Sequence, residues 1–184
     1  DLYIITQNGL VDPRYIKYIR DHYADGRPGV RNAFEQWLGR GDAYPDKPIV
    51  LPTEEEVAAI VREAIEKDQN DTEPHARIAQ WIFERNKDSH EFYVEESFPM
   101  PWSYDYAVPN GLVYKLEKEK LDRIPEDAVK KDFDYWDTLT ARFLADPLFT
   151  TDFDARRSFS KLRLSTGNLY RHRKMKKEAI AAYR

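Results

Sequence analysis

Cysteine is absent from all 184 residues. That excludes disulfides, thiolate zinc sites and a thiol nucleophile, while leaving the compartment undecided. Histidine is scarce: His22, His75, His90 and His172 are far apart and show no ligand spacing. No metal or cofactor site follows from them. No apolar run approaches the roughly 18 residues that suggest a membrane helix, and no signal peptide opens the chain. An excess of positive charge is also missing. The net charge of −4 argues against a general nucleic-acid binder. The sequence opens on a strand-like segment without Met and stops inside a helical one, which reads as a piece of something longer.

Aromatic side chains are plentiful, at 14% of residues within an apolar total of 41%. They are densest between His90 and Glu117. There Glu91 to Glu96 (EFYVEE) and Leu112 to Leu116 (LVYKL) read as strands rich in β-branched and aromatic residues. Strand alternation puts Phe92 and Val94 on one face, Tyr93 and Glu95 on the other. Pro109-Asn110-Gly111 signals a turn. The intervening segment carries Pro99, Pro101 and Pro109, which disfavour a helix. Its Phe98, Met100, Trp102, Tyr104 and Tyr106 must pack on the sheet or line a pocket. A connection of about 15 residues without a helix predicts that LVYKL pairs antiparallel with EFYVEE.

Earlier in the chain, Leu2 to Thr6 (LYIIT) reads as a buried strand. Asp12-Pro13 starts a helix whose Tyr15, Ile16, Ile19 and Tyr23 form one apolar face. Asn32 to Leu38 is a short helix, followed by a turn at Gly39 to Asp42. Its Arg-Gly-Asp matches an integrin-binding tripeptide by chance. Ile49 to Leu51, between Pro48 and Pro52, suits a short edge strand. Thr53 and Glu56 form a capping box for a helix to about Lys67 that buries Val57, Ile60, Val61, Ala64 and Ile65. Pro74 opens another helix, with Ile78, Trp81 and Ile82 inward. After LVYKL the chain is helical. Pro125 to Leu144 carries Val129, Phe133, Trp136, Leu139 and Phe143 at helical spacing. A second helix, from Asp154 to about Tyr170, turns in Phe159, Leu162, Thr166 and Leu169. A third begins near Lys174. The expected fold is α/β: a small mixed, partly parallel sheet covered by helices over residues 1–122, then an all-helical segment over 123–184. LYIIT and EFYVEE, separated by helices, are expected to run parallel.

The end of the chain carries a repeat signature. Gly167, Tyr170, Ala179 and Tyr183 fall at offsets 0, 3, 12 and 16. That resembles the tetratricopeptide pattern, in which a small residue and aromatics lock two antiparallel helices. Arg163 and Thr166 stand where the pattern prefers Trp and Leu. The segment reads as the opening of such an array, with a protein partner expected through the repeats.

DLYIITQNGLVDPRYIKYIRDHY, HEFYVEES, PNGLVYKL, YWDTLTARFLADP and RRSFSKLRLSTGNLYRHRKMKKEAIAAYR occur here in that order. Together they resemble the soluble C-terminal region of bacterial multi-spanning proteins related to protein O-mannosyltransferases, a family that shares a domain of unknown function and ends in tetratricopeptide repeats. The resemblance covers nearly the whole chain and contains no catalytic motif. It implies a domain on the extracytoplasmic (periplasmic) face of a bacterial membrane, beside the membrane body of its own parent chain. The acidic residues thought to act in sugar transfer match no position here.

The candidate ligand site is a groove at the carboxyl ends of strands. Asn8 follows the first strand and Glu95 and Glu96 end another, with Trp102 and Tyr104 nearby. Carboxylates, amides and aromatics suit a glycan or peptide acceptor. The plainer reading has Asn8 capping a turn and both glutamates solvated or paired with Arg. Trp102 to Tyr106 (WSYDY) shares its first residue and its Asp-Tyr pair with the oligosaccharyltransferase motif Trp-Trp-Asp-Tyr-Gly, but chance accounts for that. Asp132-Phe-Asp134 and Asp152-Phe-Asp154 fit the Asp-x-Asp of glycosyltransferases, yet lie in or beside helices and read as solvated charges or caps. Arg171, His172, Arg173 and Lys174, with Lys176 and Lys177, read as a solvated loop and helix face; the alternative is contact with anionic lipid. A free-standing hydrolase using Glu95 or Glu96 as acid or base is a third, disfavoured reading, since neighbours on a strand face opposite ways and cannot act together across one bond. The expected function is a non-catalytic accessory domain of a membrane glycosyltransferase-like protein that positions an acceptor or partner. The alternative is a protein-interaction module capping the repeat array.

Overall fold

Alternation in FYV and VYKL commits each strand to one inward and one outward face, and the segments pair accordingly. In the computed structural model, which describes residues 7–21, 49–67, 69–70, 72–96, 98 and 100–183, β1 (Phe92–Val94), β2 (Ala107–Asn110) and β3 (Val113–Leu116) form one sheet. The order is β1-β3-β2 and both pairings are antiparallel. LVYKL thus pairs with EFYVEE as expected. The helices are α1 (Pro13–Ile19), α2 (Glu54–Glu66), α3 (Glu73–Asn86), α4 (Glu126–Leu144), α5 (Pro147–Thr151), α6 (Phe153–His172) and α7 (Lys176–Ala182). Among the described residues the chain is therefore a mixed structure of seven helices and a small three-stranded antiparallel sheet, ending in helices. The strand at 2–6, the parallel pairing that depended on it, the helix at 32–38 and the turn at 39–42 lie outside the described residues.

Two compact units are formed by Asp1–His90 and Glu91–Arg184. The change of character near residue 122 falls within the second unit, between β3 and α4. The helices that follow close the sheet. Helix α4 packs on β2, and Arg173 at the end of α6 donates to the Leu121 carbonyl.

In the first unit, Asp12 caps α1 by accepting from the Arg14 N–H at 2.9 Å, and Ile16 and Ile19 are buried. The Thr53–Glu56 capping box of α2 is present in full. Val57 and Ala64 point inward, but Ile65 is 73% exposed. Neighbouring helical residues point about 100° apart, so Ala64 takes the inward position and Ile65 turns out. Helix α3 buries Ile78, Ile82 and Phe83. Trp81 is only half-buried, under the Arg85 guanidinium 3.7 Å from its ring centre. Arg77 of α3 reaches Glu63 of α2 at 2.6 Å. No strand forms at Ile49 to Leu51. The Val50 N–H donates to the Asn86 Oδ1 at 2.7 Å, and Asn86 Nδ2 donates to the Val50 carbonyl at 2.8 Å and the Ile82 carbonyl at 2.7 Å. One buried carboxamide replaces the neighbouring strand.

In the second unit, the register aligns Phe92, Leu116 and Ala107 across the sheet, then Val94, Tyr114 and Pro109. Pro109 is tolerated because β2 is an edge. Gly111 holds φ at 69°, the positive value that the first residue of a two-residue hairpin turn can require. The AVPN strand is not expected from the sequence, where its last two residues read as part of the Pro109-Asn110-Gly111 turn and the rest as the preceding loop. The stripe of α4 packs as expected, with Trp136 buried. Within it stands Asp132, which is buried rather than solvated. Its Oδ2 accepts from Arg163 Nη1 at 3.0 Å and from the Tyr170 hydroxyl at 2.9 Å, both on α6. The Trp136 N–H lies near enough to favour the charged carboxylate, yet falls short of a hydrogen bond. Asp134 is exposed and pairs with Lys130, while Asp152 caps α6.

Asn86→Ala strands both polar groups of Val50, so the first unit should lose about 2 kcal/mol and the Val50 amide should exchange rapidly; an unchanged exchange rate would contradict the clamp. Asp132→Ala leaves Arg163 without its buried partner and should cost the second unit about 3 kcal/mol or more. Urea denaturation followed through Trp136 reads that loss.

Candidate functional site

Asn8 belongs to the first unit, where it is exposed in the 3₁₀ turn Gln7–Gly9. Glu95, Glu96, Trp102 and Tyr104 belong to the second, so its geometry can be described without Asn8. Continuing the alternation of β1 for two residues sends Glu95 outward and Glu96 inward. Glu95 is exposed and Glu96 half-buried. The next segment cannot be a helix between its prolines. It closes instead into the 3₁₀ turn Pro101–Asp105, which buries Ser103 and Tyr104 and half-buries Trp102. Ser103 holds the turn by donating to the Met100 carbonyl at 2.9 Å.

This turn delivers the Tyr104 hydroxyl to Glu96, where it donates to Oε1. The Tyr114 hydroxyl donates to Oε2 at 3.1 Å. Tyr114 was missed by sequence reasoning. The register supplies the signal: Val94 faces Tyr114, and Glu96 lies two residues further on the same face. Burial raises the Glu96 carboxyl above its ordinary range, more than the two phenols lower it. Burial, reinforced by the hydrogen bond to Glu96, pushes the Tyr104 phenol up, and burial likewise raises Tyr114. All three hydroxyl-bearing groups stay protonated more readily than in water.

A second polar group adjoins the first. The Tyr104 ring packs 5.2 Å from His172 at the end of α6. His172 Nε2 lies 3.2 Å from Asp105 Oδ1, and Lys120 Nζ is 3.0 Å from Asp105 Oδ2. Lys120 first, then His172, lowers the Asp105 carboxyl. The Asp105 carbonyl also accepts from the Leu121 N–H at 2.9 Å. No family model, curated protein or solved structure matches the chain. The reading of this site therefore rests on its own geometry.

Chemically, Glu96 is a carboxylate engaged on both oxygens, and Glu95 is directed to the other face. Acid–base work across one bond needs two carboxyl groups converging on it, and these diverge. Among the described residues no group of three His, Asp or Glu side chains could hold a metal ion. An apolar hollow of about 330 Å³ lies in the first unit instead, between α1 and α2, lined by Val11, Pro13, Ala58, Val61 and Ile65.

A carboxyl whose folded pKa is raised favours the native state when protonated. The stability that Glu96 contributes is complete below the unfolded carboxyl range, near pH ~4.3, and is lost as pH rises through the folded value. Glu96→Gln keeps an acceptor without charge, so the decline of second-unit stability between about pH 4.3 and neutrality should flatten. Urea midpoints across pH measure this; an equally steep decline in the variant would refute the assignment.

Proposed function

We propose that this chain is a non-catalytic accessory domain of a membrane glycosyltransferase-like protein, positioning an acceptor or partner on the extracytoplasmic side. The observation that carries the reading is the packing of α6 against α7. A Cβ on Gly167 would run into the Tyr183 ring, so any other residue there must displace that ring. Tyr170 and Ala179 are buried at the same junction, and the Tyr183 hydroxyl donates to Asn168 Oδ1 at 2.8 Å. This close helix–helix packing supports the reading of the segment as a tetratricopeptide-like pair. A helix pair of this type serves recognition by stacking with further repeats. The commitment of Glu96 to two tyrosines supports a structural rather than a chemical role for the strand-end carboxylates. No described helix is long and apolar enough to cross a membrane; the membrane context comes from the resemblance of the sequence.

A second reading, an interaction module that caps a repeat array, is favoured by α7. Ile180 is 45% and Tyr183 41% exposed there, a face that a following repeat would cover.

The test compares sugar transfer by the reconstituted full-length membrane protein with and without this region. Deletion is expected to change activity or acceptor range. Unchanged values for both would overturn the accessory role, and recovery of a protein partner that depends on Gly167 would then favour the capping module.

A further inference from the structure

The last 14 residues hold six Lys and Arg against the single acid Glu178, although the chain as a whole is acidic. Positive charge is thus gathered where α6 turns into α7. The turn follows from a Schellman ending: the Met175 N–H donates to the Tyr170 carbonyl at 2.9 Å and the Lys174 N–H to the Arg171 carbonyl at 3.0 Å. Such an ending needs a left-handed residue, and Lys174 supplies it at φ 58°. Glycine is the easier occupant of that conformation. A lysine held there puts an ammonium group at the apex of the turn.

The neighbouring groups divide into committed and free. His172 and Lys120 are engaged by Asp105, and Arg173 donates to the Leu121 carbonyl. Arg171, Lys174, Lys176 and Lys177 are exposed and make no ion pair among the described residues. They carry their charges on long, flexible stems around a tight helix-to-helix turn. That arrangement answers a broad negative field, since a carboxylate or phosphate held in one orientation would call for converging donors.

We propose that the α6–α7 turn is a docking surface for anionic phospholipid, held to the headgroups by Arg171, Lys174, Lys176 and Lys177. Juxtamembrane basic clusters are attracted to such surfaces in this diffuse way. The inference shares the membrane-adjacent location with the function proposed above but not its acceptor chemistry, and vesicle binding can succeed or fail independently of sugar transfer.

Co-sedimentation of the chain with vesicles is the experiment. Binding is expected to vesicles of phosphatidylcholine mixed with phosphatidylglycerol, to be absent with phosphatidylcholine alone, and to weaken with added salt. Partition should fall about fivefold for each of the four charges removed. Lys174→Gly separates charge from folding, because it should raise the thermal midpoint while lowering partition. Equal binding to neutral vesicles, or undiminished binding when Arg171, Lys174, Lys176 and Lys177 are all replaced in a variant of unchanged circular dichroism, overturns the proposal. So does retention on an immobilised acidic peptide without vesicle binding, which would identify a polypeptide partner instead.

Discussion

A carboxylate set into an apolar helix face fixes how the second unit is assembled. Asp132 has no exposed side-chain surface, and a buried carboxylate is tolerable only with close, well-directed partners. Helix α6 provides both in Arg163 and Tyr170. Arg163 also spreads over the rings of Phe133 and Trp136, with its guanidinium carbon 4.9 and 5.2 Å from their centres. A cation over an aromatic face is attracted in its own right. The arginine that stands where the repeat pattern prefers tryptophan thus keeps a flat, broad contact and adds a charge for Asp132. Arg163 and Tyr170 join α6 to α4 at Asp132, and on the same helix Gly167 faces Tyr183 of α7.

The sheet uses a related solution with neutral donors. Glu96 has two phenols where Asp132 has a guanidinium and a phenol. In both, burial is the largest influence and raises the carboxyl. The first unit shows the reverse. Lys67 and then Arg77 hold Glu63 at about 2, and Arg14 holds Asp12 at about 2, each at the surface with little desolvation to oppose them. Sign follows from this contrast. Depressed carboxyls favour the fold above their unfolded values and lose that contribution as pH falls toward 2; raised ones favour it when protonated and lose it as pH rises. Surface screening keeps the first-unit contributions small. Acid therefore acts in opposite directions on the buried carboxyls Glu96 and Asp132 and on the surface-paired carboxyls Asp12, Glu63 and Asp105.

Local rules were legible in the sequence and long-range ones were not. Asp12-Pro13, Thr53 with Glu56, and the stripes of α4 and α6 obey capping and periodicity, which involve neighbours within a turn or two. The β1–β3 pairing followed from connection length. The edge strand at Ile49 to Leu51 failed because Asn86, distant in the chain, satisfies Val50; a polar side chain on a helix gives no warning that it will mimic a strand. Asp132 was read with Asp134 as a solvated pair, although its spacing from Val129 and Trp136 places it within the apolar stripe. The candidate site was half legible. Alternation separated Glu95 from Glu96, but only the register of β3 names Tyr114 as the second donor.

Why an aromatic-rich loop beside carboxylates looks like a sugar site follows from the same chemistry. Tyrosine has an apolar body and a polar tip, and a carboxylate accepts from hydroxyls whether these belong to a glycan or to phenols. Composition cannot tell the two apart. The distinction lies in which acceptor atoms are already engaged. At Glu96 the chain's own tyrosines occupy the positions a glycan hydroxyl would take, so a ligand would have to displace bonds that also hold the 3₁₀ turn against β3. Recognition by this unit is better served by surfaces whose groups are not so committed, and the basic turn between α6 and α7 is such a surface.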